Sequence, residues 1–131
     1  MSQQDRPRVL DVGQCDMDHG NISRMLKASF GAIVDRAKSI EQVMYMTGFY
    51  DYDLVLVNRI FDADGAEGLD LIRQMKAAEN LRETPVMLVS NYEEAQSEAQ
   101  QAGAIKGFGK NAIGTPETIE CLTEQLGDNA Q

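Results

Sequence analysis

Short runs of apolar, mostly β-branched residues alternate along this chain with longer segments whose apolar residues recur every three or four positions. Arg8-Val9-Leu10-Asp11-Val12 reads as a first strand, ended by Gly13. Ile22, Met25, Leu26 and Phe30 then fall at helical spacing, which predicts a helix through Asn21–Ser29 at least, with Gly31 as its terminator. Ala32-Ile33-Val34 is a short second strand. Ser39 is placed to cap a helix carrying Ile40, Val43, Met44 and Met46 and ending near Gly48. Leu54-Val55-Leu56-Val57 and Pro85-Val86-Met87-Leu88-Val89 are continuous apolar runs, the mark of strands covered on both faces of a parallel sheet. Between them, the loop Asp62–Gly68 leads into a helix with Leu69, Ile72 and Met75. The Ala/Glu/Gln-rich stretch Glu93–Ala102 has strong helix propensity and stops at Gly103. Ile105–Phe108 predicts a fifth strand, and Thr115-Pro116 opens a last helix through Ile119, Leu122 and Leu126.

Five strands and five helices in strict alternation predict a doubly wound α/β sheet with helices on both faces, since right-handed crossovers leave few other arrangements. In such sheets function gathers where the carboxyl ends of the strands meet a topological switch point. The residues of interest are therefore Gly13-Gln14-Cys15-Asp16, Asn58-Arg59, Ser90-Asn91 and Gly109-Lys110.

Composition narrows the functional classes. The 131 residues suit one domain, 1–127, with 128–131 as a short polar tail. A net charge of −9, from 12 basic and 21 acidic residues without a basic cluster, opposes direct nucleic-acid binding, which depends on Lys and Arg displacing counterions. No apolar run approaches bilayer length and the first eight residues carry no signal-like apolar stretch, so no membrane association and a cytoplasmic location are expected. Cys15 and Cys121 lack ligand-spaced partners and read as small, partly buried residues.

Three segments together resemble the response-regulator receiver domain, over nearly the whole chain. Tyr52-Asp53-Leu54-Val55-Leu56-Val57-Asn58 is similar to that family's third strand, and Thr84-Pro85-Val86-Met87-Leu88-Val89-Ser90 to its fourth. Gln101-Ala102-Gly103-Ala104, followed by Lys110, is similar to its fifth. The resemblance implies a flavodoxin-like (CheY-like) three-layer αβα sandwich with strand order 2-1-3-4-5. It also implies a signalling role of two-component or phosphorelay type.

In that family an aspartate ending the third strand accepts a phosphoryl group, and two acids after the first strand hold Mg²⁺. A Ser/Thr and a Lys contact the phosphoryl oxygens; the matching positions here, Ser90 and Lys110, are retained. The phosphoacceptor position is Asn58, whose amide has no anionic oxygen to attack phosphorus. The acid pair is replaced by Gly13 and Gln14, which removes the hard anionic ligands Mg²⁺ prefers. The loop after the third strand is about two residues longer than the family's and lacks its Pro. The aromatic switch position falls on Gly107, beside Phe108, and the usual Lys-Pro is Lys110-Asn111.

Other polar residues have a functional and a plain reading. Asp11, within a strand expected to be buried, is either a displaced metal-site acid or a carboxylate at the sheet rim paired with a cation. Asp16 and Asp18, placed in the first loop, either rebuild an acidic pocket or cap the next helix. His19, the only histidine, reads as a surface residue. Asp62–Glu67 is too short for a calcium loop. The Asn58 amide is expected to bond Ser90 or Lys110, and Arg59 either pairs with Asp16 or Asp18 or points to solvent.

The expectation is thus a degenerate receiver: not an enzyme, without metal or cofactor, and acting through a protein partner. A homodimer would use the fourth helix, fifth strand and fifth helix. The rival readings are an active receiver phosphorylated on Asp62 or Asp64, and a small-ligand binder on a flavodoxin-like sheet.

Overall fold

The computed structural model describes residues 6–127; the proposed tail 128–131 lies outside them. Five strands, β1 (Arg8–Val12), β2 (Ile33–Ala37), β3 (Leu54–Asn58), β4 (Val86–Val89) and β5 (Ile105–Phe108), alternate with five helices. These are α1 (Asp16–Phe30), α2 (Ile40–Met46), α3 (Gly68–Ala77), α4 (Glu93–Gln101) and α5 (Pro116–Leu126). The strands form one parallel sheet in the order β2-β1-β3-β4-β5. That is the flavodoxin-like, CheY-like order implied by the resemblance.

Side chains alternate across each strand, so the sheet builds two cores. Leu10, Val12, Val55, Val57, Val86 and Leu88 face the side covered by α2, α3 and α4. Val9, Leu54, Leu56, Met87 and Val89 face α1 and α5, where Ile22, Leu26, Phe30 and Leu122 meet them. All five residues of β3 are buried, as a strand covered on both faces requires.

Local signals set several boundaries. Ser39 accepts a hydrogen bond from the Gln42 amide and caps α2, and Thr115 does the same for Thr118 at the start of α5, with Pro116 in the first turn. Gly31 closes α1 in the left-handed region at φ 61°.

Two elements differ from the sequence expectation. Helix α1 begins at Asp16, so Asp16 and Asp18 sit in its first turn and not in a loop. Their charge there is favoured by the unpaired amides of the helix start. Strand β2 runs on through Asp35, Arg36 and Ala37, residues whose polarity conceals a strand. Asp35 is held by the Arg8 guanidinium at 2.7 Å and the Tyr52 hydroxyl at 2.8 Å, and Arg36 lies beside Asp11 in register.

Leu56 is fully buried at the centre of the sheet. Leu56→Ala is expected to lower the unfolding free energy by about 2–5 kcal/mol, read from the midpoint of urea unfolding at unchanged slope.

Candidate functional site

The carboxyl ends of β3 and β4 and the segment after β5 bring Asn58, Ser90 and Lys110 around one cavity of about 270 Å³, with Arg59, Ile60 and Tyr92 at its edge. Gly13 and Gln14 do not line it. The β3–α3 loop explains why. After Asn58 the chain turns back on itself: the Phe61 amide donates to the Ala66 carbonyl at 2.8 Å, and Ile60 and Glu67 form an antiparallel bridge. The turn of this small hairpin is stabilised by Asp64 accepting from the Ala66 amide at 3.0 Å.

The hairpin tucks Phe61 inward, 1% exposed, against Gly13. Gly13 has φ +80°, and a Cβ built on it would approach Phe61 Cγ to 2.8 Å. Both the backbone conformation and the ring therefore exclude a side chain at the first acid position. The Gly13 carbonyl accepts two hydrogen bonds, from Asn58 Nδ2 at 2.9 Å and from the Asp62 amide at 2.9 Å. Asn58 Nδ2 also donates to the Ile60 carbonyl at 2.6 Å. The Asn58 amide thus ties three segments together, and it does not bond Ser90 or Lys110 as expected from sequence. The reason is reach: the loop carbonyls fold directly over the strand end and take its two donors.

The retained residues are engaged elsewhere. Ser90 Oγ accepts from the Tyr92 amide at 3.1 Å, turning the chain into α4. Lys110 lies in a 3-10 turn (Lys110–Ala112) and pairs with Asp18 at 3.1 Å. Arg59 does not reach Asp16 or Asp18; its guanidinium stacks over the Tyr92 ring at 5.0 Å. Asp62 and Asp64 are exposed on the hairpin and line no part of the cavity.

A second polar group lies beneath α1. Asp11 is fully buried on the α1/α5 side of β1 and hydrogen-bonds His19 Nδ1 at 2.7 Å. It is neither a displaced acid of the cavity nor a rim carboxylate. His19, with 20% of its side chain exposed, is correspondingly half-buried and not a surface residue. Asp16 pairs with Arg36 at 2.8 Å, and Asp18 with Lys110, so neither side chain caps α1; the N-cap is Cys15, without a side-chain hydrogen bond. Arg36 also donates to the Gln14 carbonyl at 3.1 Å. Gln14 is buried beside Asp11, where its amide favours the charged carboxylate without completing a well-formed hydrogen bond. Burial pushes the Asp11 carboxyl above its ordinary range, against the opposing influence of His19 and Arg36. At the surface, the Arg36 hydrogen bond and charge hold Asp16 below that range.

These residues do not suit the Mg²⁺ that receiver chemistry uses. One acid position is a glycine packed under an aromatic ring, the other an amide turned beneath α1. Among the described residues no three His, Cys, Asp or Glu side chains group as metal ligands.

Phe61 and Gln96 are the structural contributors that sequence reasoning missed. Phe61 was detectable as the lone large aromatic in a polar loop. Gln96 carried no signal. Its buried amide donates to the carbonyls of Leu88 (2.9 Å) and Ser90 (3.1 Å) and accepts from the Gly107 amide (3.0 Å). A Cβ at Gly107 would overlap the Leu88 carbonyl, so no aromatic fits at that position while β4 and β5 keep this spacing.

No family model matches the chain, and no curated protein matches it. Solved structures do. A chain from Chloroflexus aurantiacus J-10-fl described as a response regulator superposes with TM-score 0.82 at 18% identity, covering 92% of this chain and 98% of that one. The receiver domain of a sensor histidine kinase from Pseudomonas aeruginosa PAO1, solved with magnesium in its active-site cleft, gives 0.72 at 21% identity, covering 93% and 98%. A chemotaxis response regulator of Vibrio cholerae gives 0.71 at 15%, covering 92% and 98%. These likenesses establish the fold.

Gly13→Ala is expected to destabilise the chain by about 2 kcal/mol. In a double-mutant cycle, Phe61→Ala should cost about 1 kcal/mol less in the Gly13→Ala background than in the parent; additive effects would show that the ring does not police this position. A second prediction concerns Asp11. The folded chain keeps its carboxyl protonated at pH values where the unfolded chain has lost that proton, so stability falls as pH rises through that window. Asp11→Asn removes this component. Its stability relative to the parent should therefore rise as pH climbs above the ordinary carboxylate range, measured by urea unfolding; a constant difference would contradict it.

Proposed function

We propose that this chain is a receiver-like signalling module of the two-component type that acts by binding a partner protein without being phosphorylated, and that it is not an enzyme. The observation that carries this reading is the closure of the phosphoacceptor region by neutral groups. Asn58 stands where a nucleophilic carboxylate would be needed and spends both amide protons on backbone carbonyls. Phosphoryl transfer relies on a charged nucleophile and on cationic neutralisation of the transferring oxygens. Here the phosphoacceptor position is uncharged, and Lys110 is already paired with Asp18.

The coupling to the signalling face is altered in the same direction. Receivers pass a change at the third strand to the face formed by the fourth helix, fifth strand and fifth helix. In this chain Gln96 fastens α4 to β4 and β5 through three hydrogen bonds, two of them buried, each contributing about 0.5–1.5 kcal/mol. Gly107 has no side chain to switch between positions. This supports a module held in one state, whose availability to its partner depends on its abundance or on assembly. The relatives of like fold include a receiver domain of a sensor histidine kinase and a chemotaxis response regulator, which supports a protein as the partner. Nucleic acid is disfavoured by the net charge of −9.

Incubation with acetyl phosphate and Mg²⁺ should leave the intact mass unchanged, and beryllofluoride with Mg²⁺ should leave the amide spectrum unchanged. Asn58→Asp alone should not confer phosphorylation, because the metal-binding acids are still lacking. A hydroxylamine-labile phosphoryl adduct on the parent chain would overturn the proposal.

A further inference from the structure

Beside that cavity, and continuous with it through Arg59, Ile60 and Tyr92, a second hollow of about 320 Å³ runs between the start of α3 and the flank of α4 that bears Glu94, Ala95 and Glu98. Its apolar lining comes from Leu69, Leu88 and Ala95. Ile60 and Tyr92 stand at its lip, 38% and 62% exposed. Aromatic and aliphatic residues around a hollow, with an arginine stacked at the edge, are the composition of an anchor pocket in a protein interface.

The charges around it are one-sided. Glu67 caps α3, and Glu94 and Glu98 stand one turn apart on α4; all three line the hollow and are exposed. Like charges at this helical spacing repel, yet none of the three takes part in an ion pair among the described residues. Arg59, the one cation in the hollow, is stacked on Tyr92. The rim of the hollow therefore carries three carboxylates against a single cation.

We propose that the α3–α4 hollow docks a basic amphipathic helix of a partner protein, with an aliphatic side chain entering between Ile60, Leu69 and Tyr92 and lysines or arginines meeting Glu67, Glu94 and Glu98. This rests on the reading of the chain as a protein-binding module and names the partner's chemistry. A helix suits the site better than an extended strand. The neighbouring strands β3 and β4 are interior to the sheet and offer no free edge for strand addition, whereas a channel flanked by two helices accepts side chains projecting at helical spacing. Anionic partners, including nucleic acid and acidic lipid surfaces, would face three uncompensated carboxylates.

The test uses the full chain, ¹⁵N-labelled, titrated with a synthetic Leu/Lys amphipathic peptide of about 15 residues, long enough to become helical on binding, and with its Leu/Glu counterpart. Amide shifts should cluster at residues 59–69 and 88–98 with the Lys peptide, and be absent with the Glu peptide. The paired substitution Glu94→Lys/Glu98→Lys should weaken binding about tenfold or more, whereas Glu117→Lys/Glu120→Lys on α5, with the same change in net charge, should alter it less than about twofold. Ile60→Ala should weaken binding without changing its dependence on salt. Shifts spread over the surface, or equal losses from both paired variants, would reduce the effect to bulk charge and overturn the proposal. No binding by a spectrum that remains folded would overturn it as well. The phosphorylation assay reads the functional proposal separately: an adduct on a chain that still binds the Lys peptide rejects that proposal and not this one.

Discussion

The Gly13 carbonyl, with the Phe61 ring packed over its Cα, is the constraint around which the carboxyl end of the sheet is arranged. The carbonyl accepts from the Asn58 amide and from the Asp62 backbone, and the Gly13 amide in turn donates to Ala37 on β2. One residue at φ +80° therefore links β1, β2, β3 and the loop after β3. A carboxylate at position 58 would face the Gly13 and Ile60 carbonyls without a proton to share, and would be repelled by both dipoles. A side chain at position 13 would displace Phe61 from the core. The glycine at position 13 and the amide at position 58 are thus one packing solution, because each is the condition under which the other residue fits.

The first turns of α1 pair with side chains of β1, β2 and the segment after β5. Asp18 takes Lys110, Asp16 takes Arg36, and His19 takes Asp11. The first two pairs have exposed or partly exposed members, so each contributes little to stability in isolation. Their effect is positional: they fix the amino-terminal turn of α1 against β2 and the segment after β5. The Asp11–His19 pair differs, since a fully buried carboxylate without a partner would be costly, and the histidine keeps it tolerable within the α1/α5 core.

On the opposite side of the sheet, Gln96 clamps α4 to β4 and β5 through its side-chain amide. Helix α4, held at the ends of β4 and β5, forms one wall of the hollow edged by Tyr92 and Glu94. The packing against Gly13 and the lip of the hollow come from the same loop, whose inward residue is Phe61 and whose outward residue is Ile60.

The alternation of apolar runs with helical periodicity determined the five strands, five helices and the doubly wound class, because burial on two faces leaves its imprint on every strand. Resemblance to receivers supplied the strand order and directed attention to Gly13, Gln14, Asn58, Ser90 and Lys110. Sequence failed where polarity misled it: Asp35 and Arg36 extend β2, and Asp16 and Asp18 lie inside α1, because contacts with Arg8, Tyr52, Arg36 and Lys110 from distant segments hold them there. It failed again for hydrogen-bond partners. Which carbonyl the Asn58 amide meets, and that Gln96 reaches three backbone groups, depend on how segments 45 and 11 residues away in the chain return to these side chains. Residue types along a line record which positions are buried; only the folded chain decides which polar groups face each other, since those partners are set by three-dimensional approach and leave no periodic trace.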